Sequence, residues 1–210
     1  MRKESRWVCW VREIHAIAQT GLTYCQDPYD IERYERLRTL SSQMFSAIGK
    51  VPLDQVTHFF IAGKGYCTPK VDLRAGIFRN NQILLVLERT DDRWTLPGGW
   101  ADVNESPLEG IVREVKEEAG FEIDFPELIA VVDRGKHPYI PVYPDSIYKL
   151  FFYGKLSDGQ VSTHVPNIET TDVRFFSKAE IPELSVSRVL QADIDRLFSW
   201  NDFKGEIYCD

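Results

Sequence analysis

The stretch "PGGWADVNESPLEGIVREVKEEAGFEI", residues 97–123, decides how the chain is read. Near its end, Glu114, Glu117 and Glu118 fall together on one helical pattern. Carboxylates three and four residues apart share a helix face and repel, at roughly 0.2–0.5 kcal/mol per exposed pair. The C-terminal half of a helix adds to this cost, because its dipole favours cations there. Either water screens the cluster, or something positive sits among the acids.

The helix has clear ends. Ser106 suits the N-cap, Pro107 the first turn and Glu109 the acid of a capping box. Leu108, Ile111, Val112, Val115 and Ala119 then make one apolar stripe that predicts docking on a sheet, and Gly120 closes the helix. The three glutamates lie on a flank beside that stripe. Ahead of the helix, "LPGGWADVNE" is a glycine-containing loop in which backbone carbonyls can approach a ligand closely. Crowded oxygen ligands suit a hard cation such as Mg²⁺ or Mn²⁺, and magnesium favours sites shared with substrate phosphates. Charge pattern alone still favours a solvated acidic face over a metal site.

Working outward, the 210 residues allow one sizeable core, or a domain with a smaller appendage. Hydrophobic residues make up 43% and charged residues 27%, the mix of a globular protein. A net charge of −7 disfavours a general nucleic-acid coat, which needs a basic surface. Cys9, Cys25, Cys67 and Cys209 are scattered without a paired motif, so reduced thiols are expected rather than a zinc site or disulfide framework. The opening "MRKESRWVCWVREIHAIAQ" carries charges throughout and reads as neither a signal peptide nor a membrane span, so a cytoplasmic location is expected.

The first fifty residues read as two helices. Trp7, Val8, Val11, Ile14 and Ala18 mark the first, ending at Gly21. Asp27 and Pro28 start the second, whose stripe is Ile31, Tyr34, Leu37, Leu40, Met44 and Phe45, with Gly49 at its close. From there the runs "THFFIAG", "KVDLRAGIF", "QILLVLERT", "ELIAVVD", "IYKLFFYGKL" and "TDVRFF" have strand length and composition. "RNNQ" reads as a hairpin turn. "KHPYIPVYPDS" reads as an ordered loop between strands. A last helical face carries Val186, Val189, Leu190, Ile194, Leu197 and Phe198. Strands with a few helices predict an α/β fold, a mixed sheet in an α/β/α sandwich.

The spacing changes the reading of the acids. Gly99, Glu105, Arg113, Glu114, Val115, Glu117, Glu118, Gly120 and Phe121 fall on every defined position of the Nudix box, so residues 65–200 resemble the Nudix hydrolases. That family cleaves a nucleoside diphosphate linked to another moiety, by attack of water on phosphorus, and its fold is an α/β/α sandwich. The resemblance implies that Glu114, Glu117 and Glu118 hold Mg²⁺, with Mn²⁺ able to substitute, and that the Gly99 carbonyl adds a ligand. It implies that Glu105 supports a metal or its water and that Arg113 orients a box carboxylate. Glu114, Glu105 and Glu169, the last in "VPNIETTDV", are candidates for the general base. Arg74, His137 and Lys149 are candidates to meet phosphate. Tyr66 or Phe152 could stack a base, although Phe152 reads better as core.

The N-terminal helices sharpen the resemblance to the subgroup that acts on X-linked nucleoside diphosphates, where CDP-choline pyrophosphatases belong. A two-helix extension over residues 1–64 is then expected to support a homodimer and the substrate site, ahead of a hydrolase domain over 65–210. The expected activity is a Mg²⁺-dependent pyrophosphohydrolase, CDP-choline-like by preference and ADP-ribose-like as the alternative. It would give a nucleoside monophosphate and a phosphorylated X. A nucleotide-sensing module without turnover and an RNA end-processing hydrolase are the remaining alternatives.

Overall fold

In the computed structural model, which describes residues 5–61, 65–124, 126–156 and 159–210, the alternating run near residue 70 separates two packed layers. It forms strand β1, Lys70–Arg79. Leu73, Ala75 and Ile77 point to one face and join Ile111, Val115 and Ala119 of helix α4, Pro107–Ala119, in the main core. Gly76 and Phe78, of the other parity, face helix α5, Gln191–Asp202, where the Phe78 and Phe198 rings meet edge to face at 5.1 Å. Each fully buried Ile or Val of this core stabilises by about 1.5–3 kcal/mol. A sheet covered on both faces is the α/β/α sandwich expected from the sequence.

The sheet also contains β2 (Gln82–Glu88), β3 (Trp94–Thr95), β4 (Glu127–Asp133), β5 (Ile147–Lys155), β6 (Thr170–Phe176) and β7 (Tyr208–Cys209). Their order is β3-β2-β1-β5-β4-β7, with β6 also paired to β2. β7 runs parallel to β4 while β4 and β5 are antiparallel, so the sheet is mixed. The β1–β2 hairpin turns at Asn80 and Asn81, both at positive φ (51° and 58°), as a tight hairpin of strand-matching twist requires. The two-residue strands β3 and β7 are too short to leave a period in the sequence.

The chain divides into two units. One holds the chain up to Lys70 together with Gly135–Ile147, and the other holds Val71–Arg134 and Tyr148–Asp210. In the first, α1 spans Arg6–Tyr24, α2 Pro28–Gly49 and α3 Leu53–Ile61. The Asp27 carboxylate accepts from the Tyr29 and Asp30 N–H groups, so the predicted N-cap forms. α1 runs past Gly21 instead of stopping there. A Cβ at Gly21 would lie 2.5 Å from the Tyr34 ring, so this glycine admits a neighbouring side chain rather than ending the helix. The buried face of α1 is Val8, Val11, His15, Ala18 and Gln19, and Trp7 is left 58% exposed.

Three further expectations are corrected. Residues 57–61 of the run read as a strand belong to α3, because Val56 packs on Val8, Val11 and Phe45 and that docking sets the period. Residues 62–64, and with them the expected boundary at 64, lie outside the described residues. The last helix begins at Gln191, so Val186, Val189 and Leu190 precede it. Leu108 lies on the exposed side of α4. Among the described residues no helix is long and apolar enough to cross a membrane, and the four cysteines are free.

On β1, Asp72 accepts from Arg74 through Nε at 2.9 Å and Nη2 at 3.0 Å, and from Lys149 Nζ at 2.7 Å. All three side chains are buried, Lys149 to 1% exposure. Burial alone would raise the Asp72 pKa, but the two cations overcome it and hold it down at about 2. Burial pushes Lys149 down to about 8 against the pull of Asp72. Removing one partner from such a group strands the others without compensation. Asp72→Asn is therefore expected to destabilise the fold by about 3–5 kcal/mol, read from urea unfolding.

Candidate active site

Helix α4 is built as its sequence dictates. The Ser106 hydroxyl accepts from the Glu109 N–H, and the Glu109 carboxylate accepts from the Ser106 N–H at 2.8 Å, closing the capping box. Gly120, in the left-handed region at φ 67°, ends the helix. Ile111 and Val115 are anchored in the core, which turns Glu114 and Glu118 inward beside them while Glu117 stays 59% exposed.

Arg113 gathers the acids. Its Nε and Nη2 donate to the two oxygens of Glu105 at 2.8 and 3.0 Å. Its Nη1 donates to Glu114 and to Glu117, each at 3.0 Å. Asp102 adds a looser ion pair at 3.4 Å. The hydrogen bonds to Glu105 lead in raising the Arg113 pKa well above its ordinary value, and they hold Glu105 below the usual carboxylate range. Burial raises Glu114 despite the pull of Arg113.

Glu118 turns the other way and accepts from the Gly98 N–H at 2.8 Å. Burial pushes its pKa up to about 8, opposed by Arg74 and the Gly98 N–H and reinforced by Glu114 and Glu88. The glycine loop is held to β1 by Ala75 N–H to the Pro97 carbonyl (2.9 Å), Leu73 N–H to the Gly99 carbonyl (2.7 Å) and Arg74 Nη1 to the Leu96 carbonyl (3.2 Å). Gly98 sits at φ 136°, with the Leu73 carbonyl oxygen 2.0 Å from where a Cβ would be. The Gly99 carbonyl keeps one lone pair beyond its bond to Leu73.

The donor set fits a hard cation. Every candidate ligand is oxygen, and one buried carboxylate is driven to keep a proton where no cation balances it. Among the described residues no three His, Cys, Asp or Glu side chains converge as a ready-made metal group. The physical reason is visible: Arg113 holds Glu105, Glu114 and Glu117 around its own guanidinium, and Glu118 is held by a backbone N–H.

Of the other candidates, Glu169 is exposed in the loop before β6, and its carbonyl accepts from the Arg89 N–H at 2.8 Å. Arg74 and Lys149 are both buried and share one carboxylate, that of Asp72. His137 belongs to the other unit, where its ring lies edge-on to Tyr139 at 6.4 Å. Tyr66 is exposed and Phe152 is in the core. Sequence reading missed Glu88, a buried acid at the end of β2 that is ion-paired to Arg188 at 2.9 Å. Burial raises its pKa against Arg188 and Arg74. A charged residue closing an apolar strand was the available signal.

The Nudix domain profile matches residues 71–198, and a "UDP-X-like, N-terminal oligomerisation domain" profile matches residues 5–60. The chain belongs to the Nudix family and is a Nudix hydrolase. It is 39% identical to a Bacillus subtilis (strain 168) protein provisionally named ADP-ribose pyrophosphatase YjhB, over 95% of this chain and 94% of that one. Among solved structures it is similar to a UDP-X diphosphatase, at 34% identity and TM-score 0.62, with 100% of both chains covered. It is also similar to an ADP-ribose pyrophosphatase from Streptococcus suis, at 31% identity and TM-score 0.56, over 68% of this chain and 98% of that one.

Gly98→Ala would force a side chain against the backbone at a conformation that only glycine adopts easily. It is expected to cost about 1–3 kcal/mol in urea unfolding and to release the Glu118 carboxylate from its N–H partner.

Proposed function

We propose that the chain is a Mg²⁺-dependent pyrophosphohydrolase that cleaves the diphosphate of a nucleoside diphosphate linked to a second moiety. The observation that carries this reading is the set of acids gathered on α4 around Arg113, with Glu118 fastened to the glycine loop. Glu114, Glu117 and Glu118 would hold the cation, with the Gly99 carbonyl as a further ligand and Mn²⁺ able to replace Mg²⁺. When bound, the cation supplies charge neutralisation of the diphosphate and an activated water. Arg113 keeps Glu105 ionised and oriented at the edge of the site. Glu169 serves as the proton acceptor for the attacking water. Its carboxylate takes part in none of the hydrogen bonds described above, whereas Glu105 and Glu114 are engaged by Arg113. Water adds to one phosphorus, the bridging P–O bond breaks, and a nucleoside monophosphate leaves with a phosphorylated partner.

For the nucleotide, the similarity to proteins described as UDP-X diphosphatase and ADP-ribose pyrophosphatase supports UDP-linked and ADP-linked substrates. CDP-choline belongs in the same screen. Products identified by mass, after reaction in heavy-oxygen water, report both the substrate and the phosphorus attacked. Binding of every compound without product would overturn the reading. Glu117→Gln is expected to lower kcat by about 10²-fold or more while leaving the urea midpoint unchanged, since Glu117 is largely exposed. A wild-type rate in that variant would remove α4 as the metal site.

We assign residues 1–64 to subunit association and to support of the substrate site, and 65–210 to the hydrolase, in a cytoplasmic protein. Trp7, Trp10, Ile17 and Leu37 are exposed apolar side chains on α1 and α2, and the profile matched there is that of an oligomerisation domain. Sedimentation is expected to give about twice the chain mass of 24.3 kDa. A monomer at micromolar concentration would defeat the assignment.

A further inference from the structure

The C-terminal end of α4 is closed by one segment, residues 162–170. Ser162 Oγ donates to the Ala119 carbonyl at 2.7 Å. The Thr163 N–H and Oγ1 donate to the Gly120 carbonyl at 2.9 and 3.0 Å. Thr170 Oγ1 donates to the Glu118 carbonyl at 3.3 Å, and Asn167 Nδ2 to the Glu117 carbonyl at 3.4 Å. Carbonyls that a helix end leaves unpaired are thus met by a single strap.

Asn167 does more than cap. Its Oδ1 accepts from the Glu169 N–H and the Thr170 N–H, both at 2.8 Å, and its own N–H donates to the Thr170 carbonyl at 2.9 Å. Its carbonyl accepts from Arg89 Nε at 2.9 Å. This side chain folds the turn that carries Glu169 and ties it to the backbone of Glu117. Apolar packing does not hold the turn, since Ile168 is 87% exposed. Polar contacts therefore set where Glu169 stands.

We infer that Asn167 is a positioning residue for the hydrolysis: its side chain fixes the Glu169 carboxylate against the end of the helix that carries the acids. The inference rests on the proposed function and on the role given there to Glu169. Ser162 caps the same helix end without touching the Glu169 turn, so it separates positioning from simple capping.

The test compares Asn167→Ala, Ser162→Ala, Glu169→Gln and the Asn167→Ala/Glu169→Gln double variant, with Mg²⁺ and either ADP-ribose or a UDP-linked sugar. Misplacing a reacting group by about 1 Å costs up to about 10²-fold. Asn167→Ala is expected to lower kcat by about 10- to 100-fold with KM within about threefold, and Ser162→Ala by less than about threefold. In the Glu169→Gln background, Asn167→Ala should add almost nothing, because the group it positions is already disabled. Equal kcat losses in Asn167→Ala and Ser162→Ala, or fully multiplicative losses in the double variant, would overturn the inference. A wild-type kcat in Glu169→Gln would overturn it too, yet leave the hydrolase reading standing as long as Glu117→Gln is inactive. An active Glu117→Gln would remove that reading and the inference together.

Discussion

Several carboxylates crowded at one helix end would repel one another unless cations divide them, and two arginines do so. Arg113 works at the surface through hydrogen bonds to Glu105, Glu114 and Glu117. Arg74 works from inside, where its field opposes the burial that would neutralise Glu118 and Glu114. The two cations differ in kind. Arg113 is only partly buried and Glu105 and Glu117 reach solvent, so those pairs stabilise modestly. Arg74 is locked on Asp72 together with Lys149 in the interior, where loss of one member leaves charges that nothing compensates.

The acid-bearing helix is fastened at three places, and each fastening serves both fold and site. Its start is held by the Ser106–Glu109 capping box. Its middle is held by Ile111 and Val115 in the core. Its end is held by the strap over residues 162–170, which also carries Glu169. The glycine loop completes the frame, since three backbone or side-chain bonds to β1 aim the Gly98 N–H at Glu118. Side chains placed on such supports are held within small positional tolerances.

Legibility in the sequence followed the range of the interactions. The capping box, the Asp27 cap and the Asn80–Asn81 turn are local, and they formed as read. The errors came where a distant partner decides. Residues 57–61 have strand composition, but the docking of Val56 makes them part of α3. Gly21 has the look of a helix stop, but it admits Tyr34. The pairing of Arg74 and Lys149 on one carboxylate is likewise long-range. Asp72 claims both, and no spacing rule announces a partner 77 residues away from Lys149. The pairing of Glu88 with Arg188, far apart in the chain, was not legible for the same reason.

By itself the sequence determined the class of chemistry. A box of acids, an arginine and glycines at set spacing on one capped helix specifies which side chains share a face, because helical geometry is local and periodic. Only the tertiary structure decided which charges are paired in the interior and which loop supports Glu169. Those outcomes depend on burial and on contacts between segments far apart in the chain. Such contacts are set by packing against the whole sheet, and neighbouring residues carry no record of them.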